Sequence, residues 1–211
     1  MKLLHVASSA RFERSASRSL SRYFVDRFTE RVPGVEVQYL DLVRDTPPHV
    51  DELFTAAAYT PPAERTPEMH ACLQLSDELC RLLLNSDLLV FSMPMYNFSY
   101  PSVFKAFIDN VVRGGLTYVH AADGQLVGQL SRQKVLFITT RGTDMRPGGA
   151  FAHYDALTPA LRAAFGFMGV QDPQFVNAQP VQFAGIEAKE AALVRARQDL
   201  DAIVTDWENR L

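Results

Sequence analysis

The sequence has few of the features that mark secreted, metal-binding or membrane-spanning proteins. Its 211 residues include only two cysteines, Cys72 and Cys80, whose spacing fits no zinc or redox motif. No window approaches the ~20 consecutive apolar residues that a membrane helix needs, and the N-terminal stretch turns polar and arginine-rich too early for a signal peptide. These absences predict a soluble protein of the reducing cytoplasm, with both thiols buried.

An excess of positive charge is also missing. Lys and Arg total 21 and Asp and Glu total 24, which gives a net charge of −3 at pH 7. Proteins that bind the phosphate backbone of nucleic acids usually carry a basic excess, so no nucleic-acid partner is expected. The apolar fraction of 47% is ordinary for a globular protein, and no change of composition divides the chain. Residues 1–211 are therefore predicted to form one domain.

Short apolar runs alternate with longer amphipathic segments along the chain. The runs predict strands at Lys2–Ala7, Val35–Leu40, Leu88–Ser92, Val135–Thr140 and Gln174–Ala178. Periodic apolar positions predict helices at Ser17–Arg31, Pro67–Asn85, Ser102–Val112, Tyr154–Phe167 and Glu187–Asn209. The alternation predicts an α/β fold, a three-layer doubly wound parallel sheet of five strands in the flavodoxin-like order 2-1-3-4-5. The first, third and fourth runs are almost continuously apolar, which places them at the centre of the sheet.

One segment, residues 42–66, does not fit this alternation. It is rich in proline and contains a short helical pattern at Asp51–Ala58. We expect it to leave the sheet and pack on the surface.

The first loop after a strand is rich in serine. Ser9 follows the first strand, and Ser15 and Ser17 stand where the first helix begins. Free N–H groups and a partial positive charge at a helix N-terminus suit a phosphate, whereas the alternative is that Ser15 or Ser17 simply caps the helix. The chain has neither GxGxxG nor a Walker A motif, which argues against a dinucleotide fingerprint and an NTPase loop. Three arginines of this region are expected to be solvated: Arg11, Arg14 and Arg18.

The second loop, SMPMYNFSYP at residues 92–101, is unusually aromatic for a turn. Pro94 and Pro101 constrain its backbone. Tyr96, Asn97 and Phe98 come after the end of a strand, where ligands of doubly wound sheets bind, so the loop is predicted to contact a flat ligand. Packing in the core is the expectation for three neighbouring apolar residues: Met93, Phe104 and Phe107.

The third loop begins at Thr139 and runs to Gly149. Its glycines would allow the backbone to approach a ligand closely, and a plain connecting loop is the alternative. The three loops together indicate a ligand site more specifically than any one of them.

These motifs resemble a known family, the FMN-dependent NADH:quinone oxidoreductases, or azoreductases. The resemblance covers nearly the whole chain. It rests on the early SS followed by SxS, LS and YF at residues 20–24, LSDEL at Leu75–Leu79, PMYNF at Pro94–Phe98 and TxRG at Thr139–Gly142. It implies that the FMN phosphate is held by Ser9, Ser15, Ala16 and Ser17. It also implies that the ribityl chain and isoalloxazine are surrounded by Met95, Tyr96, Asn97, Phe98, Thr140, Arg141, Gly142 and Thr143.

The resemblance further implies non-covalent FMN, NADH or NADPH as co-substrate, and quinones or azo compounds as acceptors in a ping-pong reaction. It implies a homodimer, with Tyr118 and either Phe54 or Tyr59 as candidates to line a shared substrate pocket. Because the flavin carries the electrons, no catalytic side chain and no metal ligand is predicted, and His5 is expected to be a hydrogen-bonded core residue. Thr143 departs from the family, which commonly has glycine there. If that position needs positive φ, we expect strain or a rebuilt loop.

Two other functions fit the same fold. A flavodoxin-type electron carrier would keep FMN without turning over small molecules, although such carriers usually present a strongly acidic face. A flavin-free interaction or regulatory domain would bind no cofactor at all.

Overall fold

The computed structural model describes residues 1–210 and contains a five-stranded parallel sheet between two layers of helices. The strands are β1 (Lys2–Ala7), β2 (Glu36–Asp41), β3 (Leu88–Pro94), β4 (Tyr118–His120), β5 (Leu126–Gly128), β6 (Lys134–Thr140) and β7 (Gln174–Ala178). The main sheet has the order β2-β1-β3-β6-β7, with every neighbouring pair parallel. This confirms the predicted 2-1-3-4-5 order, since β4 and β5 lie outside the sheet, and it confirms the central position of β1, β3 and β6.

The helices alternate with these strands. They are α1 (Ala16–Arg31), α2 (Glu52–Tyr59), α3 (Pro67–Asn85), α4 (Ser102–Val111), α5 (Leu157–Phe167) and α6 (Ile186–Asn209). The short helix predicted inside residues 42–66 exists as α2, and it packs through Phe54 and Ala57 against Leu73 of α3. In the described part of the chain, residues 1–210, no helix has both the length and the apolar character that spanning a membrane requires.

Capping side chains decide where several helices begin. Asp51 accepts a hydrogen bond from the Phe54 N–H at 2.8 Å and starts α2, and Thr66 caps α3 in the same way. The helix predicted at Tyr154–Phe167 begins later than predicted, because Asp155 accepts from the N–H groups of Leu157 and Thr158, both at 3.0 Å. The helix therefore begins at Leu157, and Tyr154 ends a separate 3₁₀ turn.

Each face of the sheet buries its own hydrophobic cluster. Under α1 and α6, Trp207 meets Phe24 and Phe28 edge to face, with ring centroids 5.4 and 5.9 Å away. On the opposite face, Phe91 lies 4.8 Å from Phe165 among the residues of α3, α4 and α5. Truncating such a ring costs about 3–5 kcal/mol, so both helical layers are firmly attached to the sheet. The loops at the strand ends are thereby carried on a rigid support.

The antiparallel pair β4–β5 was not predicted from the sequence. It docks through a close backbone approach: a Cβ built on Gly128 would lie 2.1 Å from the Gly169 backbone nitrogen. Only glycine leaves room for this contact. The pair therefore joins the segment after α4 to the end of α5.

Two predictions about side chains have different outcomes. Cys80 is buried as predicted and burial raises the pKa of its thiol to about 12, but Cys72 is only half-buried. His5 is a hydrogen-bonded core residue as predicted, with Nε2 2.8 Å from Ser21 Oγ.

Candidate ligand site at the carboxyl ends of the strands

The three loops singled out in the sequence meet at one edge of the sheet, where backbone hydrogen bonds tie them together. The Ser8 N–H donates to the Ser92 carbonyl at 3.0 Å, which joins the serine loop to β3. The Met95 N–H donates to the Thr140 carbonyl at 2.8 Å, which joins the aromatic loop to β6. The Arg141 N–H donates to the Ala178 carbonyl at 3.0 Å. The Val181 N–H in turn donates to the Arg141 carbonyl at 2.9 Å, which adds a fourth segment, residues 179–185 after β7, that was not expected from the sequence.

A cavity of about 410 Å³ lies between these loops. That volume is within the range of about 300–1,000 Å³ found for small-molecule sites. Seven predicted site residues line it: Ser9, Ser15, Ala16, Met95, Tyr96, Thr140 and Gly142. Five predicted site residues are not part of its lining: Ser17, Asn97, Phe98, Arg141 and Thr143. Further lining residues that the sequence analysis missed as site residues are Arg11, Arg14, Pro94, Val181, Gln182, Phe183 and Lys189.

Three serine hydroxyls converge at the N-terminus of α1. Ser15 Oγ lies 3.0 Å from Ser9 Oγ and 3.3 Å from Ser17 Oγ. Ser15 is also the N-cap of α1, because its hydroxyl accepts from the Arg18 N–H at 3.4 Å. The two alternatives weighed for this loop are therefore compatible, since one serine caps the helix and also belongs to the hydroxyl cluster. With the first N–H groups of α1, this end of the cavity suits an anion.

Positive side chains stand around this end of the cavity. Arg11 and Arg14 are exposed, as expected, but they also line the cavity, and α6 contributes Lys189. Within residues 1–210 none of the three forms a salt bridge. The expectation for Arg18 was wrong: it is buried and paired with Asp41 at 2.7 Å. The free positive charges favour an anionic group near the serine hydroxyls.

The aromatic loop forms a two-residue reverse turn with unusual backbone geometry. Tyr96 and Ser99 exchange both backbone hydrogen bonds, at 2.9 and 3.1 Å. Between them Asn97 has φ 46° and Phe98 has φ 73°, so both central residues are left-handed, as a type I′ turn requires. Asparagine tolerates this conformation, whereas phenylalanine adopts it only under strain. Strain of this kind concentrates at functional sites.

The ring of Phe98 does not belong to the core. It is about half exposed and lies against Tyr154, with ring centroids 5.2 Å apart. Its carbonyl accepts a hydrogen bond from the Ala156 N–H at 3.1 Å, which links the aromatic turn to the start of α5. Asn97 is exposed beside it.

The third loop keeps a relaxed backbone at Thr143. The only non-glycine residues with positive φ among residues 1–210 are Arg14, Asn97 and Phe98, so the strain considered for Thr143 does not arise. Gly142 has a different role from the one expected of a ligand-facing glycine. A Cβ there would lie 2.7 Å from the ring of Phe183, so the glycine admits the segment that follows β7.

Arg141 anchors the third loop to the start of α5. Only 1% of it is exposed, and its guanidinium donates to Thr158 Oγ1 at 2.7 Å and to Asp155 Oδ2 at 3.0 Å. Burial lowers the pKa of Arg141, against the opposing charge of Asp155. Burial alone would raise the pKa of Asp155, but hydrogen bonds from Thr158 and the charge of Arg141 hold that pKa below its usual value. The guanidinium of Arg141 is therefore committed to Asp155 and Thr158, and the residue supports the loop without lining the cavity.

The sequence is similar to a known family and to named proteins along nearly its whole length. The sequence model of a family described as flavodoxin-like fold matches residues 1–204. A protein of Nostoc sp. named FMN-dependent NADH:quinone oxidoreductase is 42% identical over 205 residues, which are 97% of this chain and 99% of that protein. FMN-dependent NADH:quinone oxidoreductase 1 of Trichormus variabilis is 44% identical over 211 residues, covering 99% of this chain and 98% of that protein.

Solved structures show the same fold. An azoreductase from Bacillus anthracis superposes with a TM-score of 0.88 over 98% of this chain and 99% of that chain, at 22% identity. An FMN-dependent NADH-azoreductase from the same species, solved in complex with FMN, gives a TM-score of 0.83 over 96% and 99%, at 21% identity. Likeness at this level of identity bears on the architecture alone.

Proposed function

We propose that this chain, which belongs to the flavodoxin-like family and within it to the FMN-dependent NADH:quinone oxidoreductases, transfers electrons from a reduced nicotinamide nucleotide to quinones and azo compounds through non-covalently bound FMN. The observation that carries the proposal is one cavity of about 410 Å³ that has an anion-binding end at α1 and, on its wall, Met95 and Tyr96 at the base of the strained aromatic turn. A flavin mononucleotide has the matching two parts, a phosphate and a flat ring system.

At the phosphate end, the chain supplies hydroxyl groups, helix N–H groups and positive charge. Ser9 and Ser15 would hold the phosphate oxygens through their hydroxyls, and Ala16 and Ser17 would hold them through backbone N–H groups at the N-terminus of α1. Arg14 and Lys189 line the same cavity and offset the negative charge of the phosphate. These groups bind and orient the cofactor without taking part in chemistry.

Along the wall, the aromatic turn and the third loop surround the ring system and the ribityl chain. Met95 and Tyr96 line the cavity next to Thr140, to whose carbonyl the Met95 N–H is bonded at 2.8 Å. Asn97 and Phe98 stand exposed at the tip of the turn, outside the cavity lining, where they would contact a bound flavin or an incoming substrate. When bound, FMN supplies the redox chemistry, since it takes up hydride and gives two electrons to an acceptor.

We further propose a ping-pong order, in which the oxidised nucleotide leaves before the acceptor enters. The support is that Met95 and Tyr96 of the aromatic turn border one cavity, so the nucleotide and the acceptor, both of them flat, would have to approach a bound flavin there in turn. NADH or NADPH serves as donor. The two core clusters share one sheet, which supports a single domain over residues 1–211.

A homodimer in the cytoplasm completes the proposal. A second cavity, of about 520 Å³, lies on the surface between the α2 segment and the end of α4. Phe54, Tyr59 and Tyr118 line it, and Tyr59 is strongly exposed, which supports a substrate pocket shared with a second subunit.

Titration of the purified apoprotein with FMN, followed by acceptor assays, tests the proposal. We expect saturable quenching of flavin fluorescence, bleaching of the bound flavin by NADH or NADPH, and recovery of the colour on addition of benzoquinone or an azo dye. Protein that stays colourless with FMN would support the flavin-free domain. Bleaching without turnover of either acceptor would support the electron carrier.

A further inference from the structure

The buried arginine at the start of α1 is tied to the serine loop rather than to solvent. Arg18 is 7% exposed, and its guanidinium makes five hydrogen bonds to three partners. Nε and Nη2 both donate to the Ser9 carbonyl, at 3.2 and 2.7 Å. Nη1 and Nη2 donate to the two carboxylate oxygens of Asp41, at 2.7 and 2.8 Å, and Nη1 also donates to Tyr39 Oη at 2.7 Å. The guanidinium thus bridges the serine loop and the end of β2.

Asp41 is a fixed anchor for this bridge. It is the last residue of β2, it is buried, and its Oδ1 also accepts from the Val43 N–H at 3.1 Å. Burial alone would raise the pKa of Asp41, but the hydrogen bonds from Arg18 and Val43 hold it below its usual value. The carboxylate is therefore ionised, and the bidentate pair fixes the plane of the guanidinium.

Arg18 is not part of the lining of the ligand cavity. It lines a cavity of about 450 Å³ between α1 and β2 together with Tyr39 and Asp41, and it also borders an open cleft along α1 whose lining shares Ser15 and Lys189 with the ligand cavity. Its charge is matched by Asp41, so its effect on a ligand must pass through the residue it holds. That residue is Ser9, whose carbonyl accepts both donors while its hydroxyl lies 3.0 Å from Ser15 Oγ and lines the ligand cavity.

We propose that Arg18, anchored by Asp41, is a positioning residue for the phosphate end of the cofactor site. By fixing the Ser9 carbonyl, it sets the direction of the Ser9 hydroxyl and keeps the three serine hydroxyls together at the N-terminus of α1. The inference rests on the proposed function and adds a residue that makes no contact with the cofactor. It requires the effect of Arg18 to depend on the phosphate and not on the flavin ring.

Paired titrations with FMN and riboflavin separate these two parts of the ligand. Riboflavin has the same ring and ribityl chain and lacks the phosphate. For Arg18→Met, which keeps an unbranched apolar stem but loses every donor, we expect FMN affinity to fall about tenfold or more, as for lost supporting partners of metal ligands. Riboflavin affinity should stay at the wild-type value. Arg18→Lys and Asp41→Asn should show the same selective loss to a smaller degree, because each keeps part of the bridge.

A matched control is Arg113, a buried arginine that pairs with the half-buried Asp77 at 3.2 Å and belongs to none of the loops around the ligand cavity. Because Arg113 lines the second cavity, its variant is compared by flavin affinity and not by turnover of an acceptor. Arg113→Met should lower the melting temperature without changing the ratio of FMN to riboflavin affinity. Circular dichroism identifies any variant that fails to fold, and Arg18→Lys, the mildest change, then decides the question.

Three results would overturn the inference. Equal losses of FMN and riboflavin affinity would make Arg18 a general structural residue, and unchanged FMN affinity would leave it no role at the site. If Arg113→Met changed the ratio of FMN to riboflavin affinity as strongly as Arg18→Met, the effect of Arg18 could not be attributed to its bonds with Ser9. If the wild-type protein bound neither flavin, the proposed function itself would fail, and the inference with it.

Discussion

The buried His5 predicts a specific pH dependence of stability. It lies on β1 with Nε2 2.8 Å from Ser21 Oγ, and its ring meets that of Tyr39 at a centroid distance of 5.0 Å. Burial is the largest cause of its lowered pKa, which falls from 6.5 to about 4. The positive charges of Arg18 and Arg22 lower the pKa further, while Asp41 opposes them.

The direction in which pH changes the stability follows from comparing proton binding at His5 in the folded and unfolded chains. Between about pH 6.5 and pH 4 the unfolded chain binds a proton at His5 that the folded chain does not, so acidification favours unfolding. A difference of one pKa unit corresponds to about 1.4 kcal/mol. His5 is only 7% exposed, so solvent screening of this term is small. The expected loss is about 2 kcal/mol between pH 7 and pH 5, rising to about 3 kcal/mol at pH 4.

Urea unfolding of the wild type and of His5→Gln measures the contribution of His5 to the pH dependence of stability. Glutamine keeps a side-chain group that can bond to Ser21 but does not titrate. Although the variant can be less stable overall, its free energy of unfolding should fall by about 2 kcal/mol less than that of the wild type on going from pH 7 to pH 5. Parallel losses in the two proteins would refute the reasoning, because the buried imidazole would then contribute nothing to acid sensitivity.

Four further substitutions have distinct expected outcomes. Gly128→Ala should destabilise the protein by about 3 kcal/mol or more in urea unfolding, because its Cβ would lie 2.1 Å from a backbone nitrogen. The matched change Gly166→Ala, where a Cβ meets open space within α5, should stabilise by about 0.5–1 kcal/mol, and equal effects would contradict the packing argument. Asn97→Ala should weaken FMN binding with the fold intact, and unchanged FMN affinity would count against the proposed contact. Phe98→Gly relieves left-handed strain of about 1 kcal/mol, so it should cost the apoprotein little stability while weakening FMN binding. A loss of about 3–5 kcal/mol, as for a core phenylalanine, would show that the ring is structural.

The sheet was predictable because its signal is local and repeated. The five apolar runs alternate with helical patterns, and right-handed crossovers leave few ways to arrange them. The carboxyl ends of β1, β3 and β6 then had to meet, which brought three separate loops to one cavity. Ser15 shows the limit of prediction from the sequence. Its hydroxyl both caps α1 and belongs to the serine cluster, whereas the sequence presented these two roles as alternatives.

Features that depend on long-range pairing were not predictable in the same way. Arg18 looked like any surface arginine, because the partner that buries it, Asp41, is 23 residues away at the end of another strand. Phe183 entered the cavity lining through the segment after β7 and Lys189 through the first turn of α6, and neither stretch has a recognisable motif. The turn at Asn97 and Phe98 was missed as type I′ because its second position holds phenylalanine where glycine is usual.

Anaerobic sequential mixing of the FMN-loaded protein tests the central claim most directly. The protein is mixed first with NADH alone and then with a quinone, while the visible flavin absorbance is recorded. The proposed function predicts complete bleaching in the first step, with no acceptor present, and full recovery of the oxidised spectrum in the second. Flavin that remains oxidised with NADH and with NADPH, or that stays reduced after the quinone is added, would contradict it.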